Sequence, residues 1–365
     1  MFASLSVWLK LVLAAVTAFV VAFLFTPPVK KFAALVGAID KPDGNRHIHD
    51  HPVPRMGGLA IFLGFILAIL VFGDISTQVM GMLIGSVIIV LMGAVDDIVN
   101  LSPWVKLGAQ ILAALAAIRS GIIINVLSNL NFLSETTFVQ LGVLGHPLTL
   151  LWIVGCTNAV NLIDGLDGLA AGVSAISSFS MLVVALFVSE PAVAILLAAL
   201  AGACLGFLPY NLNPAKIFMG DVGSQFLGYV LATVSVMGMF KFQAIVTFLI
   251  PVLALSVPLA DTVFAFFRRI FRGQNPLRAD RGHFHHRLMA MGLSQKQTVA
   301  VLYAVSASLG IFGVLLARPH TAVRIVCLVL VFAISLGVWL LLFRRHGAAQ
   351  KPSTPPADAE ETKEP

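Results

Sequence analysis

The stretch "LTLLWIVGCTNAVNLIDGLDGLAAGVSAISSFSMLVVALFV", residues 148–188, places two apolar runs on either side of a polar centre. An α-helix needs about 20 apolar residues to cross a bilayer, and each run is part of a predicted span. The centre holds Asn158, Asn161, Asp164 and Asp167, which recur at steps of three. Such groups beside a membrane span are costly unless they face water or one another. The stretch therefore predicts two membrane helices joined by a turn that carries function.

The composition of the whole chain agrees with this interpretation. Of 365 residues, 59% are hydrophobic and 11% are charged, and the mean hydropathy is +0.97. Soluble domains carry about 25% charged residues, so the chain is predicted to be an integral membrane protein in contact with the lipid bilayer. The net charge of +6 does not indicate a nucleic-acid partner, because the charges lie in short gaps between apolar runs.

Eleven apolar runs predict an all-α polytopic protein with about eleven transmembrane helices. They start near residues 5, 57, 79, 104, 147, 169, 192, 223, 243, 298 and 322. Alternate gaps and the C-terminal tail hold 18 of the 23 Lys and Arg residues. The positive-inside rule then places the N-terminus outside and the C-terminus in the cytoplasm. Residues 1–345 are predicted to form one membrane-embedded domain, and residues 346–365 a disordered cytoplasmic tail.

Residues 121–146 form the longest outer gap, and their alternating pattern predicts a short external β-like hairpin. The acids are also unevenly distributed. Only Asp74, Glu135 and Glu190 fall in outer gaps, whereas ten aspartates lie in or beside inner gaps. The positive-inside rule does not govern acids, so this asymmetry predicts that one membrane face carries the chemistry.

Besides the polar centre at 158–167, two inner segments carry carboxylates that are candidates for catalysis or metal binding. Asp96 and Asp97 end the third span, where two acids oppose the helix dipole unless a cation such as Lys106 or a divalent metal lies nearby. Asp221 stands between Gly220 and Gly223 just before the eighth span. Asp221 with Asn161 would suit Mg²⁺, which is bound by one or two carboxylates together with substrate phosphates. The alternatives are a solvated helix end for the acidic pair and a helix-capping role for Asp221.

The long inner gap from 268 to 297 contains "RADRGHFHHRLMAMG". Its arginines repel cations, so an anion site for a phosphate or a nucleotide sugar fits better than a zinc site. An earlier inner segment, "DKPDGNRHIHDHPVPRMGGLA" at 40–60, gives a weaker signal of the same kind, with Arg46 and Arg55 beside alternating histidines.

Five motifs together resemble the polyprenyl-phosphate N-acetylhexosamine-1-phosphate transferase superfamily, over residues 1–345. They are "HDHPVPRMGGLA", "DDIVNL", "NAVNLIDGLDGLAAG", "GFLPYNLNPAKIFMGDVGS" and "ADRGHFHHRLMAMGLS". The form "ADRGHFHHRL" followed by "MGLS" is closest to the branch that initiates teichoic-acid, O-antigen and enterobacterial-antigen synthesis.

The resemblance implies transfer of N-acetylglucosamine 1-phosphate from UDP-GlcNAc to undecaprenyl phosphate, with release of UMP. It also implies a bacterial plasma membrane, a cytoplasmic active site and a requirement for Mg²⁺, with Mn²⁺ as a substitute. Asp96 and Asp97 match the catalytic acidic pair, and Asn161 and Asp221 match the metal positions. The residues that match substrate-binding positions are Lys106, Asn158, Asp164, Asp167, Asn211, Arg281, His283, His285 and His286.

Several alternatives stay open on the sequence. The donor could be UDP-MurNAc-pentapeptide, which shares the UDP and the N-acetyl group. A protein of another class, an ion-coupled transporter, also uses intramembrane acids, although such proteins often show an internal repeat that is absent from this sequence. Direct attack by the acceptor phosphate and a covalent aspartyl-phosphate route are not separated, and the oligomeric state, including a homodimer, is left open.

Overall fold

The computed structural model describes residues 5–40, 52–128, 138–238, 252, 255–260 and 288–316. In these ranges the chain is mainly helical, as predicted. Its long helices are α1 (Val7–Leu35), α2 (Gly58–Phe72), α3 (Thr77–Val99), α4 (Pro103–Arg119), α5 (Gly145–Ile163), α6 (Leu169–Phe187), α7 (Pro191–Asn211), α8 (Gly220–Gly238) and α9 (Gln295–Leu316).

Within the described residues, six helices are long and apolar enough to cross a membrane, and α2 is a shorter apolar helix. Nine of the eleven predicted runs correspond to helices. The run near 322 and the predicted disordered tail lie outside the described residues, as does most of the run near 243, so the number of spans and their orientation stay predictions. The outward side chains of α1 are strongly apolar, for example Trp8 at 67% exposed and Leu24 at 61%. Such a surface suits lipid and indicates a multi-pass membrane protein.

Two small antiparallel sheets accompany the helices. Strands β3 (Val126–Ser128) and β4 (Phe138–Gln140) pair within the segment predicted to be a hairpin. The second sheet pairs β1 (Ile39–Asp40) with β2 (Val53–Pro54) and was not predicted. After β2 the chain runs beside residues 216–219. The Phe218 N–H donates to the Pro54 carbonyl at 2.9 Å, and the Gly58 N–H donates to the Met219 carbonyl at 2.9 Å.

Local sequence explains where the helices begin and end. The Ser76 hydroxyl accepts the Val79 N–H at the start of α3, and Asn100 closes α3 with a φ of 52°. Gly168 has a φ of 78° directly before α6, a conformation that favours glycine. As the sequence predicted, α5 ends before this turn and α6 begins after it. The turn brings the polar centre of residues 157–170 to one end of the helix bundle.

Glycines also allow α8 to pack closely on its neighbours. A Cβ at Gly58 would lie 2.1 Å from the backbone of Gly223, and one at Gly93 would lie 2.6 Å from Cα of Val222. The N-terminal ends of α2 and α8 therefore touch backbone to backbone, next to the C-terminal half of α3. This close packing carries Asp221 to the end of α3 that bears the two adjacent aspartates.

Candidate active site

Lys106 lies between two carboxylates that are far apart in the sequence. Its Nζ is 2.6 Å from Asp96 Oδ2 and 2.8 Å from Asp221 Oδ2. Asp96 ends α3, Lys106 lies in the first turns of α4, and Asp221 begins α8, so three helix ends meet at this point. The Lys106 side chain is 27% exposed, whereas that of Asp96 is 6% exposed. The ammonium therefore links a buried carboxylate to the more open part of the site.

Asp97 makes a different set of contacts from its neighbour. Its Oδ1 accepts the Asp221 N–H at 3.0 Å, and its Oδ2 accepts the Val222 N–H at 3.4 Å. Asp97 thus caps the N-terminus of α8, where unpaired N–H groups and the helix dipole favour an anion. The capping role that the sequence suggested for Asp221 is therefore performed by Asp97.

Arg55 supports the same helix end. Its Nε donates to the Asp97 carbonyl at 2.9 Å, and its Nη2 donates to Asn100 Oδ1 at 2.9 Å. The Arg55 guanidinium also lies 3.8 Å from Asp97 Oδ1. These contacts close the C-terminus of α3 and give Arg55 a structural role. The contact of Arg55 with an anion stays a prediction.

The two asparagines of α5 lie at different depths. The Asn161 Nδ2 donates to Asp221 Oδ1 at 3.1 Å and to Ser224 Oγ at 2.8 Å. Asn158, one turn earlier, pairs with Gln110 of α4, with its Nδ2 at 2.7 Å from Gln110 Oε1. Asn161 therefore contacts Asp221, the carboxylate predicted to bind the metal, directly. Asn158 contacts Gln110 instead.

Asp164 follows α5 in the turn and is half-buried. Desolvation, together with the negative charges of Asp221, Asp97 and Asp167, raises the pKa of Asp164 to about 8. A nearby positive charge would favour the ionised form of such a carboxyl.

Asp167 and Asn211 lie in a neighbouring cluster around the start of α6. Asp167 Oδ2 accepts the Asn213 Nδ2 at 2.9 Å and the Ala215 N–H at 3.0 Å. Asn211 is 3% exposed and bridges the Gly168 N–H and the Ile217 carbonyl, at 3.1 and 3.0 Å. Asn211 therefore braces the backbone, and its predicted substrate contact stays a prediction.

Helix α9 is tied to this cluster. The Tyr303 hydroxyl donates to the Gly168 carbonyl, and the Asn213 Nδ2 also donates to Gln295 Oε1 at 2.7 Å. The predicted phosphate-binding residues that precede α9 lie outside the described residues. They are Arg281, His283, His285 and His286.

Four polar residues of the site were missed from the sequence: Gln110, Asn213, Ser224 and Gln225. Gln225 donates its Nε2 to Asp221 Oδ2 at 2.8 Å, one helical turn away, and this i,i+4 spacing was the available signal. Gln110 was detectable as an isolated amide in the otherwise apolar stretch that follows Lys106 in α4.

The donor set fits Mg²⁺, a hard cation that prefers oxygen ligands and usually retains waters and substrate phosphates. Asp221 supplies a carboxylate whose side chain is 24% exposed, and Asn161 carries an amide oxygen that makes no hydrogen bond to the described residues. No group of three or more His, Cys, Asp or Glu residues with metal-site geometry occurs in the described ranges.

Comparisons with known proteins identify related chains. A family model described as glycosyl transferase family 4 matches residues 79–239, which include α3 to α8 and every site residue between Asp96 and Asp221. A protein of Bacillus subtilis (strain 168), named "Probable undecaprenyl-phosphate N-acetylglucosaminyl 1-phosphate transferase", is 41% identical over 309 residues, covering 84% of this chain and 85% of the relative.

Two further relatives carry similar names. The decaprenyl-phosphate N-acetylglucosaminephosphotransferase of Mycobacterium tuberculosis (strain ATCC 25618 / H37Rv) is 32% identical, with 80% of this chain and 79% of the relative covered. The undecaprenyl-phosphate alpha-N-acetylglucosaminyl 1-phosphate transferase of Escherichia coli (strain K12) is 31% identical, with 86% and 85% covered. The chain therefore belongs to glycosyl transferase family 4, the polyprenyl-phosphate N-acetylhexosamine-1-phosphate transferases that its motifs resemble.

Proposed function

We propose that this protein transfers N-acetylglucosamine 1-phosphate from UDP-GlcNAc to undecaprenyl phosphate and releases UMP. The observation that carries the proposal is the Lys106 ammonium held between Asp96 and Asp221 at the meeting point of three helix ends. Relatives that match more than four fifths of this chain are named for GlcNAc-phosphate transfer to undecaprenyl phosphate. The acceptor has an apolar tail and an anionic head, which suits a polar site at the end of a bundle of apolar helices.

The residues of the chain supply positioning and charge. Phosphoryl transfer depends mainly on alignment and on neutralising charge on the oxygens around the transferred phosphorus. Lys106 lies between the carboxylates and would contact the acceptor phosphate, while Asp96 fixes the position of its ammonium. A bound Mg²⁺, held by Asp221 and Asn161, would supply further charge neutralisation at the donor diphosphate.

Direct attack by the acceptor phosphate is favoured over a covalent aspartyl intermediate. A phosphate monoester has a second pKa of about 6 and is largely dianionic at neutral pH, so it needs little deprotonation. A nucleophilic carboxylate would need a free oxygen that faces the phosphorus. Both oxygens of Asp97 accept backbone N–H groups, and the residue is 2% exposed. Asp97 therefore acts through α8, and Asp96 is the better candidate for orienting the acceptor.

The test is an assay of UMP release by the purified protein with Mg²⁺, undecaprenyl phosphate and a panel of UDP-sugars. UDP-GlcNAc should be turned over, and Lys106→Met should lose most of this activity, whereas Lys10→Met on α1 should not. A higher kcat/KM for UDP-MurNAc-pentapeptide would contradict the donor assignment. Failure to release UMP from any donor would contradict the enzyme function and favour the transporter alternative.

A further inference from the structure

A continuous chain of side-chain amides leads from Asp221 into the interior of the helix bundle. Gln225 Nε2 donates to Asp221 Oδ2 at 2.8 Å, and Gln225 Oε1 accepts Gln110 Nε2 at 2.8 Å. Gln110 Oε1 in turn accepts Asn158 Nδ2 at 2.7 Å. Gln110 is 2% exposed and Gln225 is 1% exposed. Helices α4, α5 and α8 each contribute one amide to this chain.

The donor and acceptor of each hydrogen bond in this chain are fixed by Asn158, at the end far from Asp221. Asn158 Nδ2 also donates to the backbone carbonyl of Val154 at 2.8 Å. A carbonyl can only accept, so the Asn158 amide must turn its nitrogen to this side, towards Val154 and Gln110. Gln110 then presents its oxygen to Asn158 Nδ2, and its nitrogen donates to Gln225 Oε1 at 2.8 Å and to Asn158 Oδ1 at 3.3 Å. Gln225 consequently presents its nitrogen, and not its oxygen, to the Asp221 carboxylate.

Burying these amides has a cost that points to a role. Polar groups among apolar helices cost free energy unless every one is hydrogen-bonded, and apolar side chains of similar volume avoid that cost. Leu or Met would fill the same space between α4 and α8. The chain of amides therefore provides something that packing alone does not, namely a directional donor at a defined oxygen of Asp221.

We propose that Gln225 and Gln110 are positioning residues, which hold Asp221 Oδ2 in a fixed orientation beside Lys106 and set the affinity of the site for its divalent cation. The proposal rests on the proposed role of Asp221 as a metal ligand. Groups that hydrogen-bond a metal ligand orient it, and their loss typically lowers metal affinity or activity by about 10- to 100-fold. Neither glutamine needs to touch the substrate for this effect.

The first test uses Gln110→Met, which keeps the volume and removes the three hydrogen bonds of the amide. Binding of Mn²⁺ to the purified protein is followed by electron paramagnetic resonance, alongside kcat and KM for UMP release. We expect Mn²⁺ binding to weaken by about 10-fold or more and kcat to fall, with a smaller effect on the KM for the UDP-sugar. Gln78→Met is the matched control, because Gln78 bonds the Gly121 carbonyl at the opposite end of α3 and α4.

The second test uses Gln110→Glu, which keeps the shape, reverses the hydrogen-bonding direction when the new side chain is ionised, and then also adds a negative charge. An ionised Glu accepts but cannot donate, so Gln225 must turn its nitrogen to it and present its oxygen to Asp221. A protonated Glu still donates and preserves the native direction. The ratio of Mn²⁺ affinity between this variant and the wild type should therefore fall as the pH rises. A purely space-filling role would leave that ratio constant or make it rise, because the added negative charge attracts the cation.

A flat or rising ratio, or native Mn²⁺ affinity in Gln110→Met, would overturn the positioning role while leaving the proposed function intact. If the wild type does not bind Mn²⁺, or if Asp221→Asn binds it equally well, the metal site itself is contradicted and the positioning role falls with it. Monodisperse elution of each variant in detergent establishes that the fold is retained. Two variants of opposite chemistry at one position keep the test decisive if one of them fails to fold.

Discussion

The Asp97 carboxylate accepts the backbone N–H of Asp221 at 3.0 Å, so one acid of the adjacent pair holds in place the helix that presents the third acid. Its neighbour Asp96 instead pairs with Lys106 and accepts the Leu101 N–H at 2.7 Å. Consecutive residues of one helix therefore serve two purposes, because their side chains leave α3 in different directions. The two aspartates should differ when they are substituted.

Asp97→Ala should lower the thermal stability of the protein. The change removes the acceptor for two N–H groups at the start of α8, and loss of such a cap typically costs about 0.5–2 kcal/mol. The measurement is thermal unfolding of the purified protein in detergent. Asp74→Ala is the control, because Asp74 is 73% exposed and lies 4.0 Å from Lys10, a pairing that contributes little. Wild-type stability combined with lost turnover would instead assign Asp97 to the substrate.

Gly220→Ala should disrupt the site, whereas Gly108→Ala should not. Gly220 has a φ of 73°, and a Cβ there would lie 2.2 Å from Asp97 Oδ2. An alanine must therefore displace the Asp97 cap and shift Asp221. At Gly108 in α4 the space is open, and alanine in a helix is favoured over glycine by about 0.5–1 kcal/mol. UMP release and thermal unfolding of both variants would check this, and equal behaviour would contradict the packing described here.

Asp221→Asn should retain the fold and lose most of its turnover. The variant keeps the size of the side chain and can still accept hydrogen bonds, but it removes the charge that pairs with Lys106 and with a cation. A loss of about 3–4 kcal/mol of transition-state stabilisation corresponds to roughly 10²- to 10³-fold in rate. Activity is measured as UMP release over a range of Mg²⁺ concentrations. Near-native activity without a raised Mg²⁺ requirement would remove Asp221 from the ligand set.

Asp164 should make the cation-free protein less stable as the pH rises. Its pKa is about 8 in the folded protein and 3.8 in the reference state, so the folded protein binds the proton more tightly. The stabilisation is complete below the lower value and is lost as the pH rises through the upper one. Unfolding of wild type and Asp164→Asn, compared between about pH 5 and about pH 9, measures this. The stability of the wild type relative to Asp164→Asn should fall with pH, and a constant difference would contradict the raised pKa.

The site end of the bundle should face the cytoplasm. Ser102 lies beside the site, before α4, and Ser189 lies at the opposite end, after α6. Each is replaced by cysteine in a background without Cys156, Cys204 and Cys327. An impermeant thiol reagent applied to intact cells should modify Ser189→Cys and spare Ser102→Cys until the membrane is opened. The reverse pattern would invert the orientation that the Lys and Arg distribution predicts.

Much of the fold could be predicted from the sequence because the dominant signal is local. Runs of apolar residues predicted α1 to α9, and the polar centre at 158–167 predicted the break between α5 and α6. The β1–β2 pair was missed, because two-residue strands leave no periodic pattern. The motif residues near Asp96, Asn161 and Asp221 were identified by their chemistry, and the structure brings these three sites together.

The division of tasks within the site could not be predicted. Nothing in the sequence "DD" distinguishes Asp96 from Asp97, because the difference depends on where α8 packs. The same holds for Gln110, which lies 115 positions from its partner Gln225. Contacts of this separation depend on helix packing, which leaves no trace in local composition.

The pairing of Lys106 with Asp221 also sets an order of events during synthesis. The two residues are 115 positions apart, so α5, α6 and α7 must be produced before the second carboxylate leaves the ribosome. During that interval Lys106 has Asp96 as its partner, but the helix that brings Asp221, Gln225 and the Asn161 contact does not yet exist. A nascent chain already inserted in the membrane is therefore unable to consume the lipid acceptor. The pair of Lys106 and Asp221 can form only when α8 enters the bundle and meets the end of α3.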